Sequence, residues 1–112
     1  MNIMSKATGH FKSKMNGGLE CYEVKEWESK VWFKPSATIK QTEAVMKLHQ
    51  EGKTMEAMVE VLIMRALDEE GAPLFKSADK FELMNGVDPI VITEVAGYIL
   101  SFEPEQEDIA KN

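Results

Sequence analysis

The chain has 112 residues, a single cysteine (Cys21) and a formal net charge of −6 at neutral pH. That length leaves room for one modest core, and 44% hydrophobic with 29% charged residues is a globular rather than a disordered composition. The acidic balance gives no footprint for a nucleic-acid backbone, which needs clustered Lys and Arg, and one cysteine cannot close an intramolecular disulfide, so no oxidising compartment is required.

Residues 1–18 carry Lys6, Lys12 and Lys14 but no continuous apolar run, which argues against a secretory signal or a membrane span. They read as a flexible N-terminal arm, whose lysines either touch an acidic surface or keep the arm solvated. After Gly17-Gly18, "LECYEVKEW" alternates at period two, with Leu19, Cys21 and Val24 against Glu20, Glu23 and Lys25. "SKVWFKP" is β-branched and aromatic until Pro35, which cannot donate to a ladder. The two runs predict a hairpin over residues 19–35 with its turn near Glu28-Ser29, lying on other elements because an isolated hairpin is marginal in water. The pleat sends Trp32 to one face and Phe33, with Val31, to the other. One face covers the helices; the other meets solvent, the arm or a partner.

Ser36 or Thr38 can cap a helix over residues 38–51 that stops at Gly52, with Ile39, Thr42, Val45, Met46 and His49 on one face. Thr54 is placed to cap the next helix, residues 55–69, closed by Gly71. Its main stripe is Met55, Met58, Val59, Leu62, Ile63 and Ala66, while Val61, Met64 and Leu67 fall outside it, so this helix is apolar on more than one side. Leu74 and Phe75 can plug the end of a helix pair. Ser77 can cap a short helix over residues 78–85, ended by Asn85-Gly86, and Asp88-Pro89 opens the last, residues 89–102, with Val91, Ile92, Val95, Tyr98, Ile99 and Phe102 in its stripe. Residues 103–112 are an acidic tail. The expected fold is mainly α: a small four-helix domain with an N-terminal β-hairpin, residues 19–102 forming the single globular domain.

No catalytic set assembles along the chain. His10 and His49 lack a Cys or carboxylate at ligand spacing, so no metal is expected. Asp68-Glu69-Glu70-Gly71 resembles a calcium loop only superficially, because Ala72 and Pro73 stand where further oxygen ligands belong; it reads as a solvated helix end. Ser5, Ser13, Ser36 and Ser101 are scattered away from any base and oxyanion motif, and Gly17-Gly18 lacks the Lys-Ser/Thr of a phosphate loop. Neither a cofactor nor an enzyme is expected. The eight methionines are the unusual count. Met46, Met55, Met58, Met64 and Met84 fall in helices, where thioethers either fill core gaps or adapt to partner surfaces. If they serve a binding face, Val61, Met64 and Leu67 mark it, for a client or for a second copy.

Two long stretches, "VKEWESKVWFKPSATIKQTEAVMKL" and "VLIMRALDEEGAPLFKSADKFELMNGVDPIVITEVAGYIL", resemble the tail assembly chaperones of long-tailed, lambda-like bacteriophages. The matching features are a Val-x-Glu-Trp hairpin (Val24 to Trp27), the strand "KVWFKPSA" leading to a helix, and an apolar helix ending in Arg-Ala-Leu-Asp-Glu-x-Gly (Arg65 to Gly71). "PLFKSADKFELM" and a last helix complete the similarity, which covers residues 19–102. Pro35-Ser36 departs from the family's bulky residue and threonine, and the arm is longer. The resemblance implies a non-catalytic protein of the host cytoplasm, absent from the mature virion. It would bind the tape measure protein, keep it soluble while tail tube subunits polymerise, and in many members reach the tail tube protein through a frameshifted extension. Ala110-Lys111-Asn112 could be encoded by a slippery heptamer. The competing reading is another phage- or prophage-encoded interaction module, an adaptor or an inhibitor.

Overall fold

The computed structural model describes residues 2–15 and 18–102. Within them the chain forms α1 (Ile3–Met15), β1 (Glu20–Val24), β2 (Ser29–Phe33), α2 (Ile39–Gln50), α3 (Thr54–Arg65), α4 (Lys80–Asn85) and α5 (Pro89–Leu100). The mainly helical class with an N-terminal hairpin is as expected, but the described residues hold five α-helices rather than four. The additional one, α1, lies in the segment read as an arm, and none of its residues is buried. The tail, including Ala110-Lys111-Asn112, lies outside the described residues.

β1 and β2 pair antiparallel, with Tyr22 opposite Val31 and Glu20 opposite Phe33. A 3-10 turn over Lys25–Trp27 and a left-handed Glu28 (φ 51°) join them. Alternation therefore puts Tyr22, Val24, Val31 and Phe33 on one face and Cys21, Glu23, Lys30 and Trp32 on the other. Val24, Val31 and Phe33 are buried and Cys21 is half-buried, so the inward residues of β1 are Tyr22 and Val24, not Leu19 and Cys21. Aromatic packing against α5 selects that face. The ring of Tyr98 lies 4.6 Å from that of Tyr22 and 5.8 Å from that of Phe33, and Phe102 lies 5.2 Å from Phe33.

Local chemistry sets the helix boundaries. At the start of α2 the Gln41 amide donates to Thr38 Oγ1 (3.1 Å) and the Thr38 amide donates to Gln41 Oε1 (3.0 Å), so Thr38 is the cap. Ser36 is buried instead. Gly52 closes this helix at φ 80°, a left-handed conformation that favours glycine. Thr54 is already helical in α3, which starts without a side-chain cap. In α5 Asp88 Oδ1 accepts from the Ile90 amide (2.9 Å), with Pro89 at the first helical position.

α3 stops at Arg65, short of the expected residue 69. The chain leaves the helix to add a third, one-residue rung to the sheet: the Trp32 amide donates to the Leu67 carbonyl (2.9 Å) and the Leu67 amide to the Trp32 carbonyl (2.7 Å). The following acidic run is a tight loop rather than a helix end. Asp68 Oδ1 accepts from the amides of Glu70 and Ala72 (both 2.9 Å), and Gly71 is left-handed at φ 89°.

The core is centred on α3, which packs against α2, α4 and α5, while α5 also meets β1. Packing on three sides explains why α3 is apolar beyond one stripe. Ala57, Val59, Val61 and Leu62 are buried together with Val91, Ile92, Val95 and Ile99 of α5. Phe75 packs partly buried against this core and reaches Trp27 edge-on at 6.2 Å, whereas Leu74, expected to plug the helix pair with it, is 40% exposed. Arg65 is the one charged residue buried among the described residues. Its Nη2 donates to the Lys34 carbonyl (2.8 Å), fastening the end of α3 to the exit of β2. Replacing it by alanine removes both this bond and the packed aliphatic stem. Arg65→Ala is therefore expected to cost about 2–3 kcal/mol, read from the midpoint of urea unfolding.

One ion-pair cluster ties α4 to α3. Lys80 Nζ donates to Glu56 Oε2 (2.6 Å) and lies 3.1 Å from Glu60 Oε2. The hydrogen bond from Lys80 holds the Glu56 carboxyl below its ordinary 4.5, and the bonds to Glu56 and Glu60 raise Lys80 above its ordinary 10.5. Because the folded-state value of Glu56 is depressed, its contribution to stability is present above pH 4.5 and is lost as pH falls through the lowered value. Because the folded-state value of Lys80 is raised, its contribution holds below pH 10.5 and is lost as pH climbs through the raised value. The stability difference between wild type and Lys80→Met is thus expected to be largest between those limits and to shrink in acid. Added salt should also reduce it, because these side chains remain partly solvated.

Candidate interaction surface

The five residues singled out from the sequence separate into two groups. Phe33 and Val61 are fully buried, 0% exposed, and are core residues. Phe33 faces α5; Val61 lies on the α3 wall of the cavity between α2 and α3, but with no exposed surface it belongs to the core beneath that cavity rather than to the contact surface. Trp32, Met64 and Leu67 are half-buried. Trp32 sits on the outer face of the hairpin, beside Leu67 through the backbone rung described above. Phe33 thus supports the core and Trp32 takes the opposite side.

Met64 and Leu67 open onto an apolar trough. A cavity of 370 Å³ lies between them and Phe11 and Met15 of α1, with Ser36 and Thr38 on its wall. Met64 also lines a second cavity, 500 Å³, between α2 and α3, with Val45, Met46, His49, Met58, Val61 and Leu100. The helices themselves explain why this groove exists. α2 contains no buried residue, so its apolar face meets α3 only in part. Met46 is 51% and Ile39 80% exposed.

The α2 stripe, a wall of this groove, is visible in the sequence as a helix face but not as a site. Its signal was there: a stripe interrupted by Thr42 and His49 is too polar for an ordinary core face, and Met46 supplies the adaptable surface that a partner needs. α1 was missed as a wall of the trough because its apolar residues do not form a run.

Among the described residues no group of three or more His, Cys, Asp or Glu is arranged to hold a metal ion. No helix of the described residues is long and apolar enough to cross a membrane. What the surface offers chemically is apolar contact with a polar rim. Comparison with protein families, curated proteins and solved structures finds no match for this chain.

Proposed function

We propose that the protein is a tail assembly chaperone of a long-tailed bacteriophage, which binds the largely helical tape measure protein and keeps it soluble during tail assembly. The observation that carries the reading is the open trough between α2 and α3, lined by Met46, Met58 and Met64, on a domain whose residues 19–102 resemble that family. A groove with adaptable thioethers suits a client presenting many similar helical surfaces rather than one unique epitope. Each contact can be weak, because successive copies on one long client raise the effective concentration of their neighbours. The net charge of −6 helps keep a loaded assembly dispersed.

Co-expression with the cognate tape measure protein tests the proposal. The intact chain is expected to move the client into the soluble fraction. Met46→Asp combined with Met64→Asp removes two apolar contacts from the trough and is expected to weaken binding by about tenfold or more. If the double variant solubilises the client as well as wild type does, the trough is not the client surface. If the intact chain captures no tape measure or tail tube protein, the chaperone reading itself fails.

A further inference from the structure

Charge is distributed unevenly around the trough. Residues 18–102 carry fifteen carboxylates against nine lysines and arginines, yet among the described residues lining the 370 and 500 Å³ cavities there is no Asp or Glu. These two cavities meet at Gln41, Met64 and Arg65, and their lining includes Lys12, Lys34 and Arg65, with His49 in the second. A third cavity, 710 Å³ at the start of α2, adds Lys40 and again no carboxylate among its described lining. An acidic domain therefore holds a trough that is basic at its rim and apolar where Met46, Met58 and Met64 line it.

The chain leaves the described fold at the same place. The ring of Phe102 lies 5.2 Å from that of Phe33, the carbonyl of the next residue, Lys34, accepts from Arg65 Nη2 (2.8 Å), and Leu100 lines the groove between α2 and α3. The chain beyond Phe102 therefore sets out from beside the junction of the two cavities. Its sequence has the sign opposite to the rim: residues 103–112 carry Glu103, Glu105, Glu107 and Asp108 against Lys111, with Ile109 as their one large apolar side chain. Ten extended residues reach about 33 Å, more than the roughly 18 Å length of the twelve-residue α2. The tether also holds the segment at an effective concentration on the order of millimolar, so individually weak charge contacts are enough to populate a docked state.

We propose that the trough is the docking site of the chain's own acidic segment, residues 103–112. Its carboxylates meet the basic rim at Lys34, Lys40 and Arg65, and Ile109 enters the thioether-lined groove between α2 and α3. In the free chain the segment shields Met46 and Met64, and a client has to displace it. Occupancy by this segment goes beyond the chaperone reading and does not depend on it.

The test uses the full chain with Cys21→Ser and Ala110→Cys, a nitroxide attached at position 110 and isotope-labelled methionine methyls read by NMR. The signals of Met46, Met58 and Met64 are expected to lose at least half of their intensity relative to the same chain with the nitroxide reduced. Lys34→Glu with Lys40→Glu, both exposed, should return at least half of the lost intensity. Changing Glu103, Glu105, Glu107 and Asp108 to Lys in that background should quench the signals again. Lys25→Glu with Lys30→Glu alters the net charge equally at exposed hairpin positions outside the three cavities, and should return none. Undiminished signals in the labelled chain, no return from the Lys34 and Lys40 pair, or an equal return from the hairpin pair would each overturn the proposal. Quenching of the same size between separately labelled chains in a mixture would seat a second copy's segment in the trough and overturn it too. Quenching within one chain as expected, together with failure to solubilise the tape measure protein, would support the docked segment and remove the chaperone reading.

Discussion

Phe33→Ala is expected to lower the free energy of unfolding by about 3–5 kcal/mol, a large part of the roughly 5–15 kcal/mol available to a domain of this kind. The side chain is 0% exposed and its ring meets Tyr98 and Phe102 edge-on, at 5.8 and 5.2 Å. Truncation removes the apolar burial, leaves a cavity between the hairpin and α5, and forfeits both ring contacts, each worth about 0.5–1.5 kcal/mol beyond area. At roughly 4–8 °C per kcal/mol for a small domain, Tm should fall by more than about 10 °C. Trp32→Ala, one residue away on the opposite face, is expected to cost less, about 1–3 kcal/mol, because that side chain is only partly buried. Urea unfolding followed by circular dichroism reads both. Equal losses at the two positions would mean that the hairpin does not seat on α5 through Phe33.

That contrast was half legible. Period-two alternation forces Trp32 and Phe33 apart, but it does not say which side faces helices, because both candidate faces carry an aromatic ring. The choice is made by Tyr98 and Phe102, some seventy residues downstream, which the sequence places on a helix stripe without aiming them. The same long-range selection turned β1 over. Cys21 and Tyr22 are both able to face a core, and the ring stack on Tyr98 settles it for Tyr22.

The end of α3 shows tertiary structure overriding local preference. Leu67, Asp68 and Glu69 continue a helix acceptably, yet the hydrogen bonds between Leu67 and Trp32 take the chain into the sheet at that point. α1 was missed for a different reason. A search for a continuous apolar run cannot see Ile3, Ala7, Phe11 and Met15, which are apolar only at helical spacing. Met64 and Leu67 were found as apolar residues outside the main stripe of α3. Val61 satisfied the same criterion and is buried, since the sequence does not reveal on which sides α2, α4 and α5 pack.

This distinction governs how the surface is to be probed. Val61→Asp is expected to unfold the protein outright. The site is 0% exposed and lies in a cluster of aliphatic side chains, so an aspartate there either sits ionised out of water or takes up a proton at neutral pH. The penalty adds to the lost valine burial and should exceed about 4–5 kcal/mol, enough to remove most of the stability of a marginal domain. Met46→Asp changes a side chain that is 51% exposed on the rim of the trough, and its cost should stay within about 0.5–1 kcal/mol. Thermal unfolding by circular dichroism separates the two: no cooperative transition for Val61→Asp, and a near-native one for Met46→Asp. Consequently a polar substitution set that includes Val61 abolishes client binding through loss of the fold, whatever the surface does. Met46, exposed on the rim, probes the surface without touching the core. A cooperative, near-native melt for Val61→Asp would show that solvent reaches the side of α3 beneath α2, and Val61 would then return to the interaction surface.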